Sequence, residues 1–335
     1  MTRAQMCLFG LALLMDSRDA GAAPLQYLSG AGDKADPVVA LTWGVLIVSL
    51  SVIAIIVALL AGAIWHRPGL APAAPNAKAP LGDPQTGLDW LWIGVGVSTL
   101  VLLFTVVWTM QVLARIEAPG ARPAVTIEVT GRQWWWQARY QSADPSRIFN
   151  TANEIHIPAG QPVRLKLVGG DVIHSFWVPQ LAGKMDAIPG QTNETWIEAR
   201  APGNYRGQCT EYCGLQHAHM GLVVIAQSPS DFRRWWDHQL QSPGPARLRG
   251  EESFVTHCGA CHAVRGTDAA GVLGPDLSHL KQRTTIAAGA LANNGPSLAH
   301  WISDPQDVKP GSLMPAPELS PSELADIQAW LNTLR

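Results

Sequence analysis

Charge is what this 335-residue sequence has least of: Asp, Glu, Lys and Arg make up 15% of it, and the formal net charge is -2. Nucleic acids are held through many Lys and Arg contacts to phosphate, so no nucleic-acid partner is expected. Two stretches hold no charge at all, Val38 to Ile64 and Trp90 to Ala114. Cysteine is also scarce, with five in the chain, and four of these fall into two short pairs, Cys209/Cys213 and Cys258/Cys261. Paired cysteines at such spacing point to metals or disulfides and away from scattered core thiols. No internal repeat is present, which excludes a solenoid or propeller.

The uncharged stretches are what the scarcity of charge leaves behind. From Trp43 to Trp65 a helix would cover about 33 Å at about 1.5 Å per residue, close to the thickness of a bilayer core. The second stretch carries Trp90, Trp92 and Trp108 where an aromatic belt would meet both membrane interfaces. Two transmembrane helices are therefore expected, about 38–65 and 90–114. Residues 1–23 combine Arg3, an apolar run and small residues up to Ala23, the pattern of a signal peptide. Between the spans, Arg67 and Lys78 weight the loop toward the cytoplasm, which puts both termini outside.

Beyond the spans the periodicity changes. Val125 to Val129 and Val163 to Val168 read as short strands between Gly, Pro and Asn breakers, and 123–227 is expected to be a β-sandwich. Phe232 to Leu240 reads as a closing helix, and Ser242-Pro243-Gly244-Pro245 as a linker. At the far end, Ser320, Pro321 and Glu323 open an amphipathic helix whose apolar face holds Leu324, Ile327, Trp330, Leu331 and Leu334. The expected organisation is a leader (1–23), a membrane segment (24–122), a β domain (123–240), a linker (241–247) and a small helical domain (248–335).

Cys209, Cys213, His217 and Met220 are spaced by four, four and three residues, so one compact loop can aim all four side chains at a single point. His174 would reach it from elsewhere in the fold. A mononuclear blue-copper site needs one thiolate, two imidazoles and a weak thioether, and here there is one thiolate too many. Two thiolates can bridge two copper ions, with one histidine for each metal and weak positions for Met220 and a nearby carbonyl. A Cys209/Cys213 disulfide and a Cys₂His₂ zinc site are the structural alternatives, although zinc leaves Met220 without a purpose.

Cys258-Gly259-Ala260-Cys261-His262 is the c-type haem attachment pattern, in which two thiols form thioethers and the adjacent imidazole takes the iron. The sixth ligand is expected to be Met314, the only methionine after Met220. His279 and His300 are its rivals, each read as a surface histidine.

The residues Tyr205 to Gly214, with His217 and Met220, resemble the dinuclear copper (CuA) loop of cytochrome c oxidase subunit II, and Asp171 to Pro179 resembles that family's histidine strand. Lys184 to Gly190 is similar to its next loop, and Gly274-Pro275-Asp276-Leu277 with the Met314 segment is similar to the cytochrome c domain fused to some bacterial members. The resemblance implies a multi-domain chain: a two-helix transmembrane hairpin, an all-β cupredoxin sandwich and a small all-α cytochrome c domain. It implies copper ligation by His174, Cys209, Cys213, His217 and Met220 and by the Glu211 carbonyl. The Glu211 carboxylate would help to hold magnesium at the junction with subunit I.

Gly131 to Trp136 resembles the aromatic stretch over the copper centre, with Trp134 as the point where electrons come in. Leu88 to Trp92 resembles the start of the family's second helix, where Asp89 would stand on a proton path. The resulting expectation is the electron-input subunit of a respiratory oxidase in a bacterial inner membrane, with its copper and haem domains on the periplasmic side. Cytochrome c would deliver electrons through haem c and the copper pair to subunit I, with subunit III as a further partner. Oxygen reduction would occur on subunit I, because the two spans lack intramembrane histidines. Two rivals stand beside this: the input subunit of a nitric oxide or other respiratory reductase, and a stand-alone membrane-anchored cytochrome with a structural zinc or disulfide.

Overall fold

A computed structural model describes residues 25–66, 84–243 and 249–335, with side chains in the second helix from residue 88. The expected leader, Cys7, most of the loop between the spans and residues 244–247 of the expected linker lie outside these.

Helices α1 (Asp36–Trp65) and α2 (Pro84–Ile116) form the apolar pair. Both begin before the uncharged stretches that announced them, because hydropathy marks the part suited to lipid and says nothing about how far the backbone hydrogen bonds run. Their apolar spans, Asp36–Trp65 and Leu88–Ile116, have mean hydropathies of 3.0 and 2.2. Leu59 and Leu100 are each 69% exposed, and among the described residues no soluble element covers them, as expected for helices solvated by hydrocarbon.

The start of α1 and the end of α2 meet the β domain together. Ala31 N donates to Gln180 O at 2.8 Å, and Arg200 pairs with Asp36. Trp196 Nε1 donates to Ile116 O at 3.0 Å. Both helices therefore enter the soluble part at the same end, which is the geometry of a hairpin.

Ten strands make the β domain: β1 (Val125–Arg132), β2 (Trp135–Gln141), β3 (Phe149–Ala152), β4 (Glu154–Pro158), β5 (Val163–Gly169), β6 (His174–Trp177), β7 (Met185–Ala187), β8 (Thr192–Ile197), β9 (Gly203–Cys209) and β10 (Gly221–Gln227). They build two five-stranded sheets in the orders β3-β2-β1-β5-β8 and β4-β10-β9-β6-β7. Alternation drives the packing: Ile127, Val129, Leu165 and Leu167 are fully buried between partly exposed neighbours. Each such side chain contributes roughly 1.5–3 kcal/mol on leaving water. The closing helix α3 (Pro229–Gln239) starts earlier than its hydrophobic residues suggested, because Ser228 caps it by accepting from Asp231 N at 3.2 Å.

The C-terminal domain is built mainly on α4 (Arg249–Cys258), α5 (Gly295–Ser303), a short α6 (Pro305–Val308) and α7 (Pro321–Leu331). The capping box at Ser320 and Glu323 is present, and Trp330 packs on Phe254 with ring centroids 4.9 Å apart. Leu334 falls beyond the end of α7, yet it is buried with the helix's apolar face. His279 corrects the surface reading: it is buried, and its Nδ1 lies 2.8 Å from Arg335 O. His300 is exposed and pairs with Asp307 at 2.9 Å.

Candidate functional site

The sheet register assembles the first site. β6 pairs antiparallel with β9, so that Phe176 faces Cys209 and His174 arrives beside the cysteine pair. Cys209 ends β9 and Met220 immediately precedes β10, which makes the donor loop the turn of a β9–β10 hairpin. Cys209 N donates to Met220 O at 3.1 Å and closes the base of that turn.

Within it the donor atoms converge. The two sulfurs lie 3.8 Å apart, and both cysteines are free, well beyond the bonded separation of about 2.05 Å. The disulfide alternative does not hold in this geometry. His174 Nδ1 is 4.0 Å from Cys209 Sγ, whereas His217 Nδ1 is 3.5 Å from Cys213 Sγ. Met220 Sδ is 3.8 Å from Cys213 Sγ, and the Glu211 carbonyl oxygen is 3.3 Å from Cys209 Sγ. Cys209, Cys213, His174 and Met220 are all buried.

Two thiols this close titrate as a pair. Contact with Cys213, helped by His174 and nearby backbone groups, holds Cys209 far below the ordinary thiol range, and the same contact drives Cys213 up. Burial works against charge on His174, but hydrogen bonding to Asp171 and Cys209 raises its pKa above the usual value. Asp171 Oδ1 accepts from Nε2 at 2.7 Å, which leaves Nδ1 as the ring nitrogen turned toward sulfur. Asp171 stood in the motif quoted from the sequence without a role of its own; a carboxylate three residues before a ligating histidine is the signal that identifies it.

Aromatic residues roof this cluster. The Trp136 ring is fully buried, edge-on to His174 at 5.9 Å and to Phe176 at 5.7 Å. Gly131 permits the close approach of His174, since a Cβ there would come within 2.7 Å of the imidazole. Trp134 Nε1 and Gln133 Nε2 both donate to Cys213 O, at 3.0 and 2.7 Å. Trp134 is only 8% exposed, and its carbonyl oxygen accepts from Lys309 Nζ of the C-terminal domain at 2.7 Å.

Two acidic residues singled out in the sequence stand apart from the cluster. The Glu211 carboxylate lies 3.5 Å from Lys184 Nζ. Asp89 sits exposed near the start of α2.

The second site lies at the end of α4. Cys261 N and His262 N both donate to Cys258 O, at 3.1 and 3.0 Å, winding the Cys-x-x-Cys-His turn into a compact loop. His262 Nδ1 lies 2.8 Å from Pro275 O, which leaves Nε2 as the ring nitrogen open to a metal. Burial holds this imidazole below the ordinary histidine value, which favours the neutral form that binds a metal. Gln306 Nε2 donates to Met314 O at 3.0 Å and its Oε1 accepts from Gly311 N at 2.9 Å, fixing the loop that carries Met314. Val272, Leu273 and Leu313 are 74, 68 and 86% exposed, an outward apolar surface suited to a macrocycle.

The sequence pattern described as cytochrome C oxidase subunit II, periplasmic domain, matches residues 141–227, and that described as cytochrome c matches residues 248–335. Cytochrome c oxidase subunit 2 of Alkalihalophilus pseudofirmus is 36% identical over 260 residues, covering 75% of this chain and 74% of that protein. Cytochrome c oxidase subunit 2 of Bacillus sp. strain PS3 is 30% identical over 247 residues, 68% of each chain. The crystal structure of the periplasmic domain of subunit II of cytochrome oxidase of Bradyrhizobium japonicum is 32% identical, with a TM-score of 0.33, and covers 36% of this chain and 95% of that one.

Proposed function

Because the chain belongs to the cytochrome c oxidase subunit II family, we propose that it is the electron-input subunit of a respiratory haem-copper oxidase, accepting electrons from a cytochrome c and delivering them to subunit I. The observation that carries this reading is the pair of free thiols 3.8 Å apart, with a different histidine beside each sulfur.

That donor set fits a copper pair better than zinc. Tetrahedral zinc would be satisfied by two thiolates and two imidazoles and would leave a fully buried thioether, Met220, unused. Cys209, Cys213, His174, His217, Met220 and the Glu211 carbonyl would hold the copper. Cys258 and Cys261 would attach haem c, and His262 and Met314 would take its iron. Bound there, the two cofactors supply one-electron chemistry.

This chain's own residues hold the two sites in relation. Lys309 Nζ of the C-terminal domain donates to Trp134 O, and Trp134 Nε1 donates in turn to the carbonyl of Cys213, so a hydrogen-bonded connection runs from the segment that leads to Met314 into the cysteine loop. Asp171 orients His174, and the buried roof of Trp136 and Phe176 excludes water from that side. The apolar helix pair supports anchoring beside subunit I and subunit III in a bacterial inner membrane, with both soluble regions on the periplasmic side. Neither apolar helix contains a histidine, which supports placing oxygen reduction on subunit I.

Metal analysis of the purified chain tests the reading. Two coppers and one haem per chain are expected, and one zinc with no copper would overturn it.

A further inference from the structure

Two buried charges of opposite sign face each other's domains across the boundary between the copper loop and the haem-binding region. Lys309, from the haem-binding side, is 3% exposed, and Glu154, from the copper side, is also 3% exposed. Neither makes a salt bridge among the described residues, although the Arg283 guanidinium of the haem-binding region is near enough to Glu154 to act on it electrostatically.

Their partners come largely from the opposite domain. Lys309 Nζ donates to Trp134 O at 2.7 Å and His219 O at 3.0 Å on the copper side, and to Ala287 O at 3.3 Å in its own domain. Burial lowers the Lys309 pKa to about 7, and three carbonyls meet the three protons of its ammonium form. Glu154 Oε1 accepts from Thr284 N at 2.7 Å, Thr284 Oγ1 at 2.5 Å and Thr285 N at 3.4 Å, all in the haem-binding region. Neutral contacts fill the space around them: Gln216 Nε2 donates to Pro310 O and Gln239 Nε2 to Gln282 Oε1, each at 3.0 Å.

A buried charge is costly unless its hydrogen bonds are complete, so any shift in the docking of the two domains would strand one charge or both. Such groups confer register more than raw affinity. The contact they register is the one over Trp134. Gly311, two residues after Lys309, takes a φ of +84°, open to glycine at little cost, and it stands beside the indole, where a Cβ would meet the ring at 3.5 Å.

We propose that Lys309 and Glu154 are positioning residues that seat the haem-binding domain on the copper loop in one fixed register, holding the Lys309–Gly311 segment beside Trp134. This rests on the functional reading above only for its consequence, the rate at which electrons cross from one region to the other; the fixed seat itself does not depend on the metals.

The test uses the full chain with its cofactors, as wild type, Lys309→Met and Glu154→Gln. Lys309→Met should speed hydrogen exchange at the Thr284 and Thr285 amides at least tenfold and slow haem-to-copper electron equilibration at least tenfold, with the absorption of both centres unchanged. Glu154→Gln keeps the size of the side chain and an acceptor oxygen, so it retains the fold, and about threefold changes in the same directions are expected. Unchanged exchange in both variants would overturn the fixed seat, and faster exchange with an unchanged electron-transfer rate would overturn the positioning role. Because amide exchange needs no metal, it decides the seat even where the metal count goes against the functional reading.

Discussion

Asp171 accepts a hydrogen bond from Nε2 of His174 at 2.7 Å, three residues along the chain, and the opposite ring nitrogen lies 4.0 Å from Cys209 Sγ. The carboxylate itself is tied down by the amides of Gln133 at 2.6 Å and Val172 at 2.7 Å. Although burial alone would raise its pKa, these bonds and His174 keep Asp171 below the usual carboxylate value. The arrangement fixes both the tautomer and the direction of the imidazole, as a carboxylate behind a metal-bound histidine does.

Asp171→Ala is therefore expected to weaken copper binding by about 10- to 100-fold without altering the haem, the scale on which such outer partners act. Titration against a competing chelator measures this. An unchanged affinity would mean that the β6 backbone and the Gly131 contact orient the ring by themselves.

Met220 is fully buried and close in volume to leucine, a swap that usually costs less than about 1.5 kcal/mol. Met220→Leu should leave the β domain folded and the haem absorption intact while changing the copper absorption and electron paramagnetic resonance spectra. Identical copper spectra would remove Met220 from the ligand set.

On the haem side, Met314→Ala is expected to abolish the low-spin, methionine-type spectrum and to lower the reduction potential, since a thioether opposite histidine raises it. Persistence of that spectrum would point to another sixth ligand.

His156 on β4 stacks on Trp235 at 4.1 Å, and burial pushes its pKa down to about 4 despite the hydrogen bond that its Nδ1 donates to Gln227 Oε1. The ordinary value is 6.5, so between pH 6.5 and 4 the unfolded chain binds the proton that the folded chain refuses. Stability is thus retained above pH 6.5 and lost as pH falls through that window. Between pH 7 and pH 5 the loss from this group should be about 2 kcal/mol. Denaturant unfolding at the two pH values, for wild type and His156→Phe, checks it; a variant with an undiminished pH slope would assign the effect elsewhere.

What the sequence determined by itself is whatever depends on neighbours a few residues apart. The uncharged spans, the Cys209-to-Met220 spacing, the Cys258-to-His262 turn and the capping box at Ser320 are all local patterns, and each appears in the structure where the spacing puts it. Even the helix ends that moved did so by a few residues, since Ser228 and Asp36 extend helices by caps and backbone bonds that hydrophobicity does not register.

Only the tertiary structure decided which distant groups meet. His174 reaches Cys209 through strand pairing, and Lys309 reaches the carbonyl of Trp134 across 175 positions of chain. Glu154 finds Thr284 across 130, and His279 is buried by a boundary that leaves no periodic trace in its own segment. The physical reason is common to all of these. A lone buried charge or histidine has no preferred spacing from its partner; its partner is chosen by how the domains pack, and the cost of leaving it unsatisfied is what keeps them packed that way.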